Sequence, residues 1–326
     1  MEGKSRTDTK AQPKVKAMKM TTKQARGYRE FLYIVPFLIL VLIFSYYPLY
    51  GWIYAFFDYK PPNHVRLSDC EFVGLKYFIS MVDTDVKRQT LFRVLRNTFA
   101  ISGISLFFSW FPMIFAVFLN EIKCKPYRKF VQTVTTLPNF ISWVLVFAIA
   151  YCIFNADGAI NNVLVNNGII TDQQRILFLN DKSHLWFKMW LWLTWKNAGW
   201  AAIMYLAAIS GIDEELIEAA RVDGASRMKV IWHITIPSIL PTYFVLVMLN
   251  LASFLSNGME QFYVFRNSFN EDYIMVLDLY VYNLAMGKGA NYPLSTAFSI
   301  LKSLVSIGLL FAANGFSKKV RGEGII

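Results

Sequence analysis

Six stretches of this 326-residue chain stay apolar long enough to cross a bilayer: 32–57, 97–119, 130–154, 185–209, 242–265 and 292–314. A helix needs about 20 such residues to span the hydrocarbon core. Backbone polar groups find no partner in lipid, so only helices and closed barrels can span it. Barrel strands are short and alternate in character, whereas these runs are long and continuous. The expectation is an all-α membrane protein with about six transmembrane helices. A hydrophobic share of 55% and a mean hydropathy of +0.37 agree with it.

An even number of spans puts both termini on one side. Residues 1–31 form a polar arm with nine Lys/Arg ahead of the first span. Positive charge beside a first membrane helix holds that end in the cytoplasm. We therefore divide the chain into a basic cytoplasmic arm at 1–31, a transmembrane domain at 32–314 and a cytoplasmic tail at 315–326. On this topology the inner segments carry nineteen Lys/Arg and the longer outer segments eleven. The exception is 86–96, with Lys87, Arg88, Arg93 and Arg96, which reads as a basic external helix lying near the headgroups. The net charge of +11 is thus a matter of topology and lipid contact, and no nucleic acid is implied. The apolar run after the arm is too long for a signal peptide. Three cysteines and three histidines are scattered, so neither a metal site nor a disulfide frame is expected.

The polar stretch 211–240, between the fourth and fifth spans, has a pattern of its own. Asp213, Glu214 and Glu215 suit the positive N-terminal end of a short helix. Ser210 or Asp213 can cap it. Ala219 and Ala220 keep one face small, and Gly224 supplies the positive φ that ends many helices. A second helix should run from Ser226 to Ile236 and stop at Pro237, with Pro241 beyond. A helix–glycine–helix unit would then protrude on the cytoplasmic side, with Glu218 free to pair with a basic residue of a partner.

The run Glu218-Ala219-Ala220, then Gly224, then Ile234, Ile236 and Pro237 resembles the EAA loop of bacterial ABC-importer permeases. Every spacing of that pattern is kept, with Ile236 where the family has Leu. Phe44-Ser45-Tyr46-Tyr47-Pro48-Leu49-Tyr50-Gly51 looks like the first span of the LplB-like subfamily. Phe72-Val73-Gly74-Leu75-Lys76-Tyr77-Phe78 is similar to an external stretch of sugar permeases. Gly258-Met259-Glu260-Gln261-Phe262 and Val276-Leu277-Asp278-Leu279-Tyr280-Val281-Tyr282 resemble the same branch. The resemblance covers about residues 30–320. It implies one half of a heterodimeric pore in a bacterial cytoplasmic membrane, paired with a second permease. Two ATPase subunits that bind ATP and magnesium, and an extracytoplasmic binding protein, would complete it. The implied cargo is an oligosaccharide, with acidic pectin- or alginate-type sugars among the candidates. Glu218, Ala219, Ala220, Asp223, Gly224, Ile234 and Pro237 would couple the chain to its ATPase.

Polar residues within spans are costly and tend to face a pathway. Asn139, Lys196, Asn197, Asn250, Asn257 and Lys302 are the candidates, with Trp143 and Trp195 as stacking partners for sugar rings. Each can equally bond a neighbouring helix. Lys196 and Lys302 could favour an anionic uronate, or could snorkel to an interface. The external segment 155–184 suits docking of a partner as well as it suits a plain connector. No G-x-x-x-x-G-K-[ST] phosphate cradle occurs, so ATP hydrolysis is not expected of this chain, nor is a cofactor. Three alternatives remain at this point. A non-sugar solute would leave the permease reading intact. An intramembrane enzyme would need a nucleophile–base pair or clustered carboxylates in the spans. A passive channel would need a ring of charges or a filter-like repeat.

Overall fold

The computed structural model describes residues 22–61, 66–287 and 289–321. Most of the basic arm, and the tail beyond Arg321, lie outside the described residues. The chain divides into two units, Met1–Trp52 and Ile53–Ile326. Among the described residues there is no strand, and only one isolated bridge, Phe57 to Phe72.

In the first unit, helix α1 (Thr22–Val41) runs into a π turn at Leu42–Tyr46, and a 3-10 stretch, Tyr47–Phe56, carries the chain past the unit's end at Trp52. Its large apolar side chains, from Phe31 to Tyr50, are exposed. A helix apolar on all sides is stable only in lipid or against other protein. The π turn has a local cause. Pro48 cannot donate a hydrogen bond and its ring crowds the carbonyl four residues back. The Tyr47 N–H reaches past that register to the Leu42 carbonyl, opening one wider turn directly before the proline.

The second unit is built on α8 (Leu185–Ser210), whose 26 residues extend about 39 Å at 1.5 Å per residue. Packed against it are α3 (Asp85–Phe107), α4 (Phe111–Asn120), α5 (Lys125–Thr136) and α11 (Ile236–Ala252). The last helix, α15 (Tyr292–Arg321), packs on α11 and on α14 (Leu277–Met286). Shorter helices fill the connections: α2 (Lys76–Ile79), α6 (Trp143–Phe154), α7 (Ala159–Asn166), α9 (Glu214–Val222), α10 (Arg227–Val230), α12 (Glu260–Phe265) and α13 (Glu271–Ile274). Among the described residues, five helical segments are long and apolar enough to cross a membrane: Arg29–Phe56, Asp85–Asn120, Trp143–Asn166, Arg227–Ala252 and Tyr292–Lys319. The expected fourth span, α8, is helical throughout but carries Lys188, Lys196, Asn197 and the tryptophans 186, 190, 192, 195 and 200. Its length suits a span, while its composition is that of a helix walled in by protein.

Four boundaries differ from the sequence reading, each for a physical reason. The basic stretch 86–96 is not a separate surface helix but the start of α3. Lys87 pairs with Asp83 at 3.0 Å and Arg88 with Asp85 at 3.1 Å, while Arg93 pairs with Asp272. Arg96 donates to the Asp272 carbonyl at 3.0 Å and lies over the rings of Trp186 and Tyr273. All four cations are thus held by protein. The expected third span is broken, because the backbone turns through 3-10 geometry at Leu137–Phe140 before α6 starts at Trp143. Pro237 does not end its helix. A second π turn, Ile231–Thr235, lets the Ile236 N–H reach Ile231 just ahead of the proline, so the helix runs on to Ala252. The expected fifth span, 242–265, stops at Ala252 and passes through an irregular loop, 253–259, before α12.

Two apolar cores lie along α8. One gathers Leu185 and Met189 with Ile101, Val146, Phe262, Phe265 and Leu279. The other gathers Ala202, Tyr205 and Ile209 with Met113, Val117, Ile231 and Ile239. Between them lies the part of α8 with Leu193, Lys196, Asn197 and Gly199, and polar groups collect there.

Candidate functional site

The first candidate surface is α9 with the turn that follows. Asp213 caps the helix by accepting the Glu215 N–H at 3.0 Å, while Ser210 instead donates to the Ala207 carbonyl at 2.7 Å. At the other end Gly224 takes φ +80°. Its N–H donates to the Arg221 carbonyl at 3.0 Å, and the Ala225 N–H donates to that of Ala220 at 2.9 Å. This is the paired closure of a Schellman motif, with glycine at its left-handed position. No residue of α9 is buried, and Leu216 and Val222 are exposed alongside Glu218 and Ala219. A nine-residue helix is marginal alone in water. This one is capped at both ends and presents a mixed apolar and acidic face that its own chain leaves uncovered. Asp223, the residue before the glycine, and Pro237 are exposed, and Ile234 is half-buried in the π turn.

The second candidate is the polar layer across the middle of α8. Asn139 donates to Asn197 at 2.9 Å. Lys196 is buried, and its Nζ donates to the carbonyls of Asn139 at 2.6 Å and Pro138 at 3.3 Å while lying over the Trp143 ring. Its charge therefore closes the broken end of the third span. Asn257 accepts from Ser102 at 2.6 Å and donates to the Thr98 carbonyl at 3.2 Å. Asn250 is exposed and, with Ser102, Ser105, Leu193, Ser253 and Asn257, lines a cavity of about 250 Å³. Trp195 meets Trp192 edge-on and opens onto a separate, apolar cavity of about 560 Å³. Lys302 pairs with Asp278, whose other oxygen accepts the Gly258 N–H at 2.8 Å.

The candidates therefore do not form one cluster. Asn139, Trp143, Lys196 and Asn197 bind one another, Asn250 and Asn257 share a cavity, Lys302 sits with Asp278, and Trp195 stands apart. The sequence reading missed Asp278 because it lay in a segment assigned to the outside. A lone carboxylate in an otherwise apolar run was the available signal. Ser102, Ser253 and Ser256 carried none, since single hydroxyls are ordinary in membrane helices. The loop 253–259 is the informative feature. Irregular backbone between apolar spans is tolerated only where it is buried in protein or lines a water-filled cavity. Here it lines the cavity at Asn250 and Asn257.

Segment 155–184, assigned to the outside on the sequence topology, is a built element. Arg175 bonds Asp172 at 2.8 Å, the Ala156 carbonyl at 2.8 Å and Asn162 at 2.9 Å. Buried Asn161 joins the Asn155 and Ile176 backbones. Asp58 accepts from Tyr77 and pairs with Lys60 at 2.7 Å. Those bonds, Lys60 first, hold the Asp58 carboxyl below its ordinary value, and burial with the Asp58 contact pushes the Tyr77 hydroxyl up.

A helical membrane domain with a broken, polar-lined centre and an uncovered surface helix suits a transport subunit. Residues 109–322 match the family described as the binding-protein-dependent transport system inner membrane component, and the chain belongs to it. It is 38% identical over 298 residues to Protein LplB of Bacillus subtilis (strain 168), covering 90% of each chain. It is 35% identical over 315 residues to the polygalacturonan/rhamnogalacturonan transport system permease protein YteP of the same organism, covering 96% of this chain and 94% of that one. A chain in the crystal structure of a bacterial ABC transporter importing the acidic polysaccharide alginate superposes with a TM-score of 0.78 at 32% identity. That match covers 91% of this chain and 97% of the other. The protein is a permease subunit of an ABC importer.

Proposed function

We propose that this permease carries oligosaccharides inward across a bacterial cytoplasmic membrane by alternating access. The observation that carries the reading is the cavity beside loop 253–259. Its serine and asparagine side chains suit sugar hydroxyls, which need many short polar contacts in an otherwise apolar wall. The polygalacturonan/rhamnogalacturonan and alginate names of the relatives support a carbohydrate cargo. A second, related permease forms the other half of the pore. Two ATPase subunits, which hold ATP and magnesium, sit on the cytoplasmic side. An extracytoplasmic binding protein delivers the sugar, a role supported by the alginate transporter solved with its pentasaccharide-bound periplasmic protein. The built segment 155–184 suits docking of that protein better than it suits a plain connector.

In this mechanism α9 sits in a socket of its ATPase. Glu218 pairs with a basic residue there, Ala219 and Ala220 allow close approach, and the Asp223–Gly224 turn fixes the exit of the chain. Ile234 and Pro237 lie in the π-turned start of the next span, so motion of α9 passes directly into α11. ATP-driven closure of the ATPases swings the permease halves outward-open, and hydrolysis resets them, as rigid-body rocking. The arm at 1–31 and the tail at 315–326 remain cytoplasmic, flanking the transmembrane domain 32–314. Asn250 and Asn257 face the sugar, while Asn139, Asn197 and Lys196 hold the broken third span beside it. The test is ATPase stimulation of the reconstituted complex by loaded binding protein. Stimulation across an oligosaccharide series supports the reading, and a complex that hydrolyses ATP but responds to no sugar overturns the cargo.

A further inference from the structure

Beside the cavity at Asn250 and Asn257 lies another of about 420 Å³, between α11, α14 and α15. Ser253 and Ser256 of the broken-span loop line both. The remaining polar lining of the second cavity is Ser299, Ser303 and Ser306 of α15 with the ion pair Asp278–Lys302. An oligosaccharide is longer than one sugar ring, so two polar cavities sharing a wall suit two neighbouring rings.

The charge of this second cavity is set by the pair. Among the described residues Lys302 Nζ donates to Asp278, and an ammonium has three N–H donors. The Asp278 carboxylate takes one N–H on each oxygen, from Lys302 and from Gly258, and a carboxylate offers about four lone-pair sites. Both groups therefore keep bonding capacity while mutually neutralised. A carboxylate that accepts hydroxyls, beside an ammonium that donates to them, suits an uncharged polyol. An anionic ring would gain from Lys302 and lose against Asp278. The other cation among the proposed path residues, Lys196, is committed to the Asn139 and Pro138 carbonyls.

We infer that the cavity framed by Asp278, Lys302 and the α15 serines is a second sugar subsite that takes a neutral, hydroxyl-bearing ring, and that Asp278 is what makes it discriminate against uronates. This rests on the oligosaccharide reading above. Any uronate recognition by the importer would then be supplied by the binding protein or the second permease.

The test uses the assembled complex in nanodiscs without binding protein, so that delivery does not limit the readout. The probes are galactotriose and trigalacturonate of the same linkage, which differ only in oxidation at C6. Saturation-transfer NMR gives the binding ratio. Wild type should favour galactotriose, and equal binding of the two sugars would overturn the discrimination. Asp278→Asn keeps an oxygen for the Gly258 N–H but leaves Lys302 uncompensated, and should move the ratio toward trigalacturonate by about tenfold. The double variant Asp278→Asn with Lys302→Gln removes both charges and should return the ratio to the wild-type side. It also separates a charge effect from a folding defect. A ratio unchanged by Asp278→Asn while galactotriose still binds would overturn the subsite. So would a wild-type preference for trigalacturonate that Lys302→Gln abolishes. Binding of neither sugar by wild type would instead strike the oligosaccharide reading itself.

Discussion

Gly199 and Gly224 are glycines for opposite reasons. A Cβ at Gly199 would overlap the Thr135 carbonyl and stand 2.7 Å from the Thr136 nitrogen, so α5 and α8 cross there backbone to backbone. Gly199→Ala must push the helices apart, and overpacking of this kind costs about 1–3 kcal/mol. The expected result is a lowered thermal midpoint for the purified complex in detergent; an unchanged midpoint would mean the crossing is looser than described. At Gly224 nothing lies within 4 Å, and only the positive φ resists a side chain. Gly224→Ala should therefore cost about 1–2 kcal/mol of local strain and leave assembly of the membrane domain intact, read by size-exclusion of the complex. Asp58 gives a pH prediction. Its carboxyl is held low by Lys60 and Tyr77, so its stabilising contribution is complete above the ordinary carboxylate value of about 4 and disappears as pH falls through the lower folded value. The difference in melting temperature between wild type and Asp58→Asn should hold from pH 7 to about 5 and shrink only below about 4. A difference already gone at pH 6 would show that another group controls it.

At the scale of elements, prolines shape this chain in a consistent way. Pro48 and Pro237 each follow a π turn in which one N–H reaches five residues back, so the helix opens ahead of the ring without ending. The sequence reading took Pro237 as a stop because proline removes a donor. It did not foresee that one wider turn relieves the crowding and keeps the helix going. Hydropathy located the apolar segments well, since burial in lipid selects composition over about 20 residues. It could not locate the breaks at 137–142 and 253–259, because those depend on which carbonyls find donors from other helices. Lys196 supplies such donors for the first break. Lys196→Met should leave the Pro138 and Asn139 carbonyls short of a partner, costing about 1–3 kcal/mol. It should destabilise the complex in a melt without changing its relative response to neutral and acidic sugars. A changed response would put Lys196 in the path after all. The spaced run from Glu218 to Pro237 was legible because a short capped helix is specified locally, by Asp213 at one end and Gly224 at the other. The residues proposed to face the sugar were less legible. Asn250 and Asn257 lie together only because the helix breaks between them, and Asp278 joins Lys302 only through tertiary packing.

At the scale of the whole molecule, a helix with no buried residue leads by way of packed elements to a polar cavity. The span after α9 passes through the π turn at Ile231–Thr235, whose Ile231 belongs to the core around Ala202 and Tyr205. That core packs the C-terminal part of α8, and the polar layer begins just before it in the chain. Displacement of α9 by a partner thus has a continuous packed route to loop 253–259. The measurement that tests this most directly is uptake of a labelled oligosaccharide into proteoliposomes holding the full complex, with ATP inside and loaded binding protein outside. Wild type should accumulate sugar only with ATP. Glu218→Lys, inserted and assembled to the same level, should lose at least nine-tenths of that uptake by reversing the charge in the socket. Undiminished uptake by Glu218→Lys, or sugar entry in wild type that ignores ATP, would contradict the account.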